Sequence, residues 1–239
     1  MPKASARFTW LPPTDQAQTL ELLQTIRLAC PSLPVGAFAY SQGLEYAVDC
    51  GWVTGPDSAQ RWISGLLTHS VGNLDLPRLQ RLYLAWAASD FEAAKLQNQL
   101  LLAARESSEL VAEELHLGSA LKKLLVSLDT LPEGAAEHAA GHGYLSMFAL
   151  AGVCFGLSFA SLSAGFCFAW LEHQVSAATR LIPLGQTDGQ RILSSCLGLV
   201  PGVIQHASSQ GDWEIGAAAP GQALASALHE TQYTRLFRS

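Results

Sequence analysis

Apolar residues recur along most of this chain at intervals of three and four, the spacing that lays one stripe along an α-helix. Leu20, Leu23, Ile26 and Leu28 mark a first such face, with Thr14 or Asp15 placed to cap it and Pro31 to end it. Pro56 follows Gly55 where a first helical turn tolerates proline, and Trp62, Ile63, Leu66 and Leu67 come after it. Asp75 precedes Pro77 and the run Leu79, Leu82, Tyr83, Trp86, and reads as the cap of another helix. Asp90 opens the next, which carries Leu96 and Leu100, and residues 105–128 keep Leu110, Leu117, Leu121, Leu124 and Leu125 on one side. Pro132, Gly134, Gly141 and Gly143 predict a loop or frayed helix over 131–143. Two apolar helices follow at 144–155 and 161–179, separated by a turn at Gly156-Leu157-Ser158. Thr187 and Gln190 are spaced as a capping box before Ile192, Leu193 and Leu197. Helices over 200–207 and 222–233 complete the series.

Valine and isoleucine are few and period-two alternation is absent, so no sheet is expected. The pattern predicts an all-α, single-domain helical bundle of roughly ten helices over residues 1–239, with a flexible N-terminal arm at 1–13 and a flexible C-terminal tail at 234–239. Composition narrows the setting. Hydrophobic residues make up 49% of the 239 positions and charged residues 14%, so few charges must keep a large surface soluble, and part of that surface is expected to be covered by partners. A net charge of −6 with no basic stripe argues against nucleic acid. Five scattered cysteines, with no Cys-x-x-Cys, fit reduced thiols in a cytoplasmic protein better than disulfides or zinc. Residues 143–171 lack any charge and are long enough to span a bilayer, but glycines and serines dilute them and no basic cluster flanks them, so no membrane span is expected.

Candidate chemistry is sparse. Ala39-Tyr-Ser41-Gln-Gly43 is one residue from the Gly-x-Ser-x-Gly nucleophile elbow, which raises a small serine hydrolase using Ser41 as the alternative function. That elbow needs a strand before it, and Ser41 reads more simply as the cap of a helix running through Leu44 to Gly51. His138 and His142 are spaced for one helix face, yet two histidines in a Gly/Ala-rich stretch do not complete a metal site; no metal and no cofactor are expected. The non-periodic stretch between the first two helices is more distinctive. Pro31 and Pro34 stiffen it, Gly36 permits a turn, and Phe38 and Tyr40 are large residues placed either for display or for burial.

Pro31-Ser-Leu-Pro-Val-Gly-Ala-Phe-Ala-Tyr-Ser-Gln-Gly-Leu-Glu45, followed by Gly51-Trp52-Val53, resembles the N-terminal signature of the UreF family of urease accessory proteins. Arg180-Leu-Ile-Pro-Leu-Gly-Gln-Thr-Asp-Gly-Gln190 is similar to its second signature, and His229-Glu-Thr-Gln-Tyr-Thr-Arg-Leu-Phe-Arg-Ser239 to its C-terminus. The resemblance implies a non-catalytic chaperone for nickel insertion into apo-urease. Such a protein forms a homodimer, binds a scaffold accessory protein (UreD, also called UreH), and recruits and regulates the GTPase UreG. It further implies a partner-binding set of Phe38, Tyr40, Ser41, Gln42 and Glu45 in the loop and Tyr233, Arg235, Leu236 and Phe237 in the tail. In that picture the scaffold partner orders the tail, Arg235 then steadies the loop that holds Tyr40, and its guanidinium can donate to the loop's carbonyl oxygens.

Overall fold

A computed structural model describes residues 16–239; the arm at 1–13 and the caps at Thr14 and Asp15 lie outside the described residues. The described residues form twelve α-helices and no strand. These are α1 (Gln16–Ala29), α2 (Leu44–Asp49), α3 (Pro56–Leu66), α4 (Leu76–Ala87), α5 (Phe91–Ala103), α6 (Ser108–Ser127), α7 (Ala135–His138), α8 (Tyr144–Cys154), α9 (Phe159–Leu181), α10 (Gln186–Leu197), α11 (Val200–Ser209) and α12 (Pro220–His229). The all-α bundle read from the spacing of leucines is the observed architecture.

The bundle is built around α8. Every residue from Leu145 to Gly152 is buried, as expected of a helix that is apolar on all sides. It packs between α4 and α6, while α9 runs beside α1 and α10. Gly118 on α6 makes the α6–α8 crossing possible: a Cβ there would collide with the His142 carbonyl and lie 2.6 Å from the Gly143 carbonyl carbon. Gly156, at φ 66, ends α8 and turns the chain into α9. The uncharged run is thereby cut, and no described helix is long and apolar enough to cross a membrane.

Several local expectations are corrected. Asp75 does not cap a helix. The chain from Pro56 to Ala87 is one continuous rod in which Leu67–Asp75 is wound as a π-helix, and Asp75 has helical dihedrals with no capping bond. Pro77 brings no N–H to the Asn73 carbonyl four residues earlier. That oxygen accepts instead from Gly216 N–H at 3.0 Å, and the His69 carbonyl accepts from Ala218 N–H at 2.9 Å. Both carbonyls are thereby paired with the loop 211–219, and Asp75 turns inward to meet Arg105. Thr187 is likewise inside its helix: Gly185 is the N-cap of α10. Helix α12 spans 220–229 and unwinds four residues before the expected end at 233. Leu20, Leu23 and Ile26, expected to form a face, do share one side of α1, but that side is exposed; only Leu28 and Ala29 of the helix are buried.

Candidate partner-binding site: the loop and the C-terminal segment

After α1 the chain turns at Gly36 (φ 83) into a 3-10 turn over Ala37–Ala39, then through Gln42 (φ 56) and Gly43 (φ 85) into α2. Gly43 is required twice over: its φ is left-handed, and a Cβ would lie 3.0 Å from Ser226 N and 3.2 Å from the Ala225 Cβ on α12. Gly43 is therefore the N-cap residue of α2, where Ser41 was expected, although Ser41 Oγ still accepts Glu45 N–H at 3.2 Å.

The loop divides into a displayed part and an anchored part. Phe38 stands at the tip, 66% exposed, and the Arg180 guanidinium of α9 donates to its carbonyl at 3.3 Å. Tyr40 is buried, with its hydroxyl 3.2 Å from His116 Nδ1. Gln42 is fully engaged: its Oε1 accepts from Trp170 Nε1 at 2.9 Å and Gln174 Nε2 at 3.2 Å, and its Nε2 donates to Glu113 at 2.8 Å. His173 lies beneath the turn, and burial pushes its imidazole down to about 4.

The C-terminal segment runs back across this loop. Leu236 N–H and Phe237 N–H donate to the two carboxylate oxygens of Glu45 at 2.6 and 2.8 Å. Arg238 N–H donates to the Ala39 carbonyl at 2.7 Å. The Ser239 carbonyl accepts Ser41 N–H at 2.7 Å and Ser41 Oγ–H at 2.5 Å. Exposure alternates along the segment: Leu236 out, Phe237 in, Arg238 out, Ser239 in. This is the period of an extended chain, so Phe237 fills a pocket while Ser239 Oγ donates to Glu113 at 3.1 Å. In the chain alone the Arg235 guanidinium pairs with Glu109 at 2.9 Å, and the loop carbonyl at Phe38 accepts from Arg180. Tyr233 is fully exposed.

Below the loop lies a cavity of about 370 Å³ lined by Cys30, Gln42, Arg105, Glu113, Trp170 and His173 among others. Its floor is charged. Arg105 bridges Asp75 at 2.7 Å and Glu114 at 2.5 Å, all three nearly buried. Burial works against its charge, but the two carboxylates hold the Arg105 guanidinium above its ordinary range, while burial raises Asp75. Burial also pushes Glu113 up to about 7, against the hydrogen bond from Gln42.

This geometry weighs on the chemistry suggested by the sequence. Ser41 is fully buried and its hydroxyl proton is committed to the Ser239 carbonyl, with no imidazole on it, so it lacks the geometry of an activated nucleophile. His138 and His142 do not share a helix face. His138 stacks on Phe91 at 4.2 Å, and His142, beyond the end of α7, bonds Ser146 Oγ at 2.7 Å. Among the described residues no group of three or more His, Cys, Asp or Glu side chains is placed to hold a metal. The residues missed by sequence reasoning are those under the loop: Glu109 and Glu113 of α6, His229 of α12, and His173 and Arg180 of α9. Their signal was present in part, since Glu109 and Glu113 are four apart and so share one face of a helix.

A family model described as UreF matches residues 53–197. The urease accessory protein UreF of Teredinibacter turnerae is 48% identical over 220 residues, covering 92% of this chain and 99% of that relative. Those of Chromohalobacter salexigens and Alkalilimnicola ehrlichii are 43% identical over 227 residues and 44% identical over 216 residues, covering 98% and 93% of those relatives. With 43–48% identity over 92–95% of its length, the chain belongs to the UreF family of urease accessory proteins.

Proposed function

We propose that this protein is a non-catalytic assembly factor in urease maturation. It binds the scaffold accessory protein UreD/UreH and recruits and regulates the GTPase UreG, so that nickel is inserted into apo-urease. It works as a homodimer in the cytoplasm. The observation that carries this reading is the joining of the loop and the C-terminal segment into one body by main-chain hydrogen bonds, with Phe38, Tyr233 and Leu236 left outward. Large apolar side chains held exposed on an anchored frame are the ordinary makings of a protein-binding surface. Tyr40, Ser41, Gln42, Glu45 and Phe237 act as the frame, and Phe38, Tyr233, Arg235 and Leu236 act as the contacts. The exposed apolar side of α1, with Leu22, Leu23 and Ile26, supports self-association, and five free cysteines support a reducing compartment.

The test is co-purification of the chain with UreD/UreH and UreG, followed by sizing of the complex. Phe38→Ala is expected to keep the scaffold and lose the GTPase, while Leu236→Asp loses the scaffold. Wild-type recovery of both partners by both variants would remove the basis of the assignment.

A further inference from the structure

His229, the last residue of α12, is fully buried, and each ring nitrogen faces a carboxylate. Nε2 is 3.1 Å from Glu45 Oε2 on α2, and Nδ1 is 2.7 Å from Glu109 Oε2 on α6. These are the same two carboxylates that hold the C-terminal segment. Glu45 takes the Leu236 and Phe237 N–H groups, one on each oxygen, and the other oxygen of Glu109 takes Arg235. Both Glu45 oxygens and Glu109 Oε1 already accept from these donors, while Glu109 Oε2 faces the ring alone; an ionised carboxylate only accepts, so both contacts to the ring are satisfied only when both ring nitrogens carry protons. One imidazole thus stands between the two acceptors on which the segment is hung.

We infer that His229 is a proton-controlled clasp for the C-terminal segment: doubly protonated it aligns Glu45 and Glu109 for residues 235–237, and on losing a proton it lets the segment go. Loss of either proton turns a ring lone pair toward a carboxylate oxygen. In a buried site that repulsion is relieved by rotating Glu45 or Glu109 away, which removes the seat of the segment. The charged groups around the ring are Glu45 from α2, Glu109 from α6, and Arg235 beyond Glu109 from the segment itself. Glu113, one turn along α6, holds Ser239 and is the other titratable group under the segment. Opening would uncover Phe237 and Ser239 and change the frame beneath Phe38, so the clasp would regulate the surface described above. It stands apart from the identity of the partners, because it is read on the chain alone.

The test places 4-fluorophenylalanine at position 237 and follows its fluorine resonance in the full chain from about pH 5 to about pH 9, a window that brackets the span of about pH 5 to 8 in which a histidine ordinarily changes charge. The docked signal is expected to dominate at the acid end, and the docked-to-free ratio to fall by about tenfold across the range. Glu113→Gln should keep that profile. His229→Gln should raise the free signal and flatten the profile. Glu109→Gln should also flatten it, since an amide can donate to one ring nitrogen and the ring then needs only one proton; this variant settles the matter should His229→Gln lose its helical circular dichroism. A wild-type ratio that does not move with pH overturns the inference, as does an unchanged profile in Glu109→Gln. A flat profile in Glu113→Gln would place the switch at Glu113 and also overturn it.

Discussion

Replacing Arg105 with methionine tests how the charged floor of the cavity is held. The guanidinium is about one-seventh exposed and is the cation between Asp75, on the inward turn of the π segment, and Glu114, on α6. Glu114 also accepts the Leu145 N–H at the start of α8, so the triad ties the rod 56–87, α6 and the central helix together. Removing one partner of a buried ionic group leaves uncompensated carboxylates and costs about 3–5 kcal/mol, against at most about 1 kcal/mol for an exposed pair. For a chain of this size, about 2–4 °C of Tm is lost per kcal/mol, so Arg105→Met should melt roughly 6–20 °C below the parent. The deficit carries a pH signature. Without Arg105 the Asp75 carboxyl, already raised by burial, loses its counter-charge and rises further, so the folded state takes up a proton that the unfolded state does not hold until lower pH. The penalty is therefore largest near neutrality and shrinks as the pH falls toward 5. Thermal unfolding followed by circular dichroism at the two pH values measures both. A Tm within about 3 °C of the parent at neutral pH would refute the account, because that is the shift of a surface pair.

Three further outcomes are expected. Gly118→Ala pushes a methyl group into the His142–Gly143 backbone and should cost about 1–3 kcal/mol, read as a lower urea midpoint at unchanged slope. Glu113, raised from 4.5 to about 7 by burial, contributes stability that is present below its unfolded value and lost as the pH rises through about 7. Glu113→Gln should therefore gain on the parent above pH 7 and lose that advantage toward pH 5 in chemical denaturation. Phe38→Ala, at an exposed tip, should change stability by no more than about 0.5 kcal/mol, whereas Tyr40→Ala opens a buried site and should cost about 3–5 kcal/mol; equal melting temperatures for the two variants would contradict the division of the loop into display and anchor.

The helices were legible wherever a local signal was also the global one. Asp90 caps α5 through its own carboxylate, and Gly156 ends α8, as the spacing indicated. Signals failed where a distant group competed for the same atoms. Asp75 has the residue type and position of a cap, but Arg105, thirty residues away, offers a buried carboxylate more than a helix end does. Ser41 looks like a cap and is one in part, yet its hydroxyl proton goes to a residue 198 positions later. In the site, motif residues gave the loop and the segment but not the way they meet. The resemblance places Arg235 on the loop once the scaffold partner orders the tail; in the chain alone Arg235 pairs with Glu109 and Arg180 meets the loop. His229 looked dispersed because its two carboxylate neighbours, Glu45 and Glu109, lie 184 and 120 residues before it.

The loop 211–219 looks like the least organised stretch of the molecule, having only one 3-10 turn over Asp212–Glu214. Its amides at 216 and 218 are nevertheless bonded to the carbonyls that the π-wound rod sets free. In hydrogen–deuterium exchange that makes 216 and 218 slow positions whose rates report on the rod rather than on the loop. Any event that rewinds Leu67–Asp75 into a regular α-helix would turn the His69 carbonyl to the Asn73 N–H and be heard at 218 first, while the Asn73 carbonyl, facing Pro77, would stay open to 216.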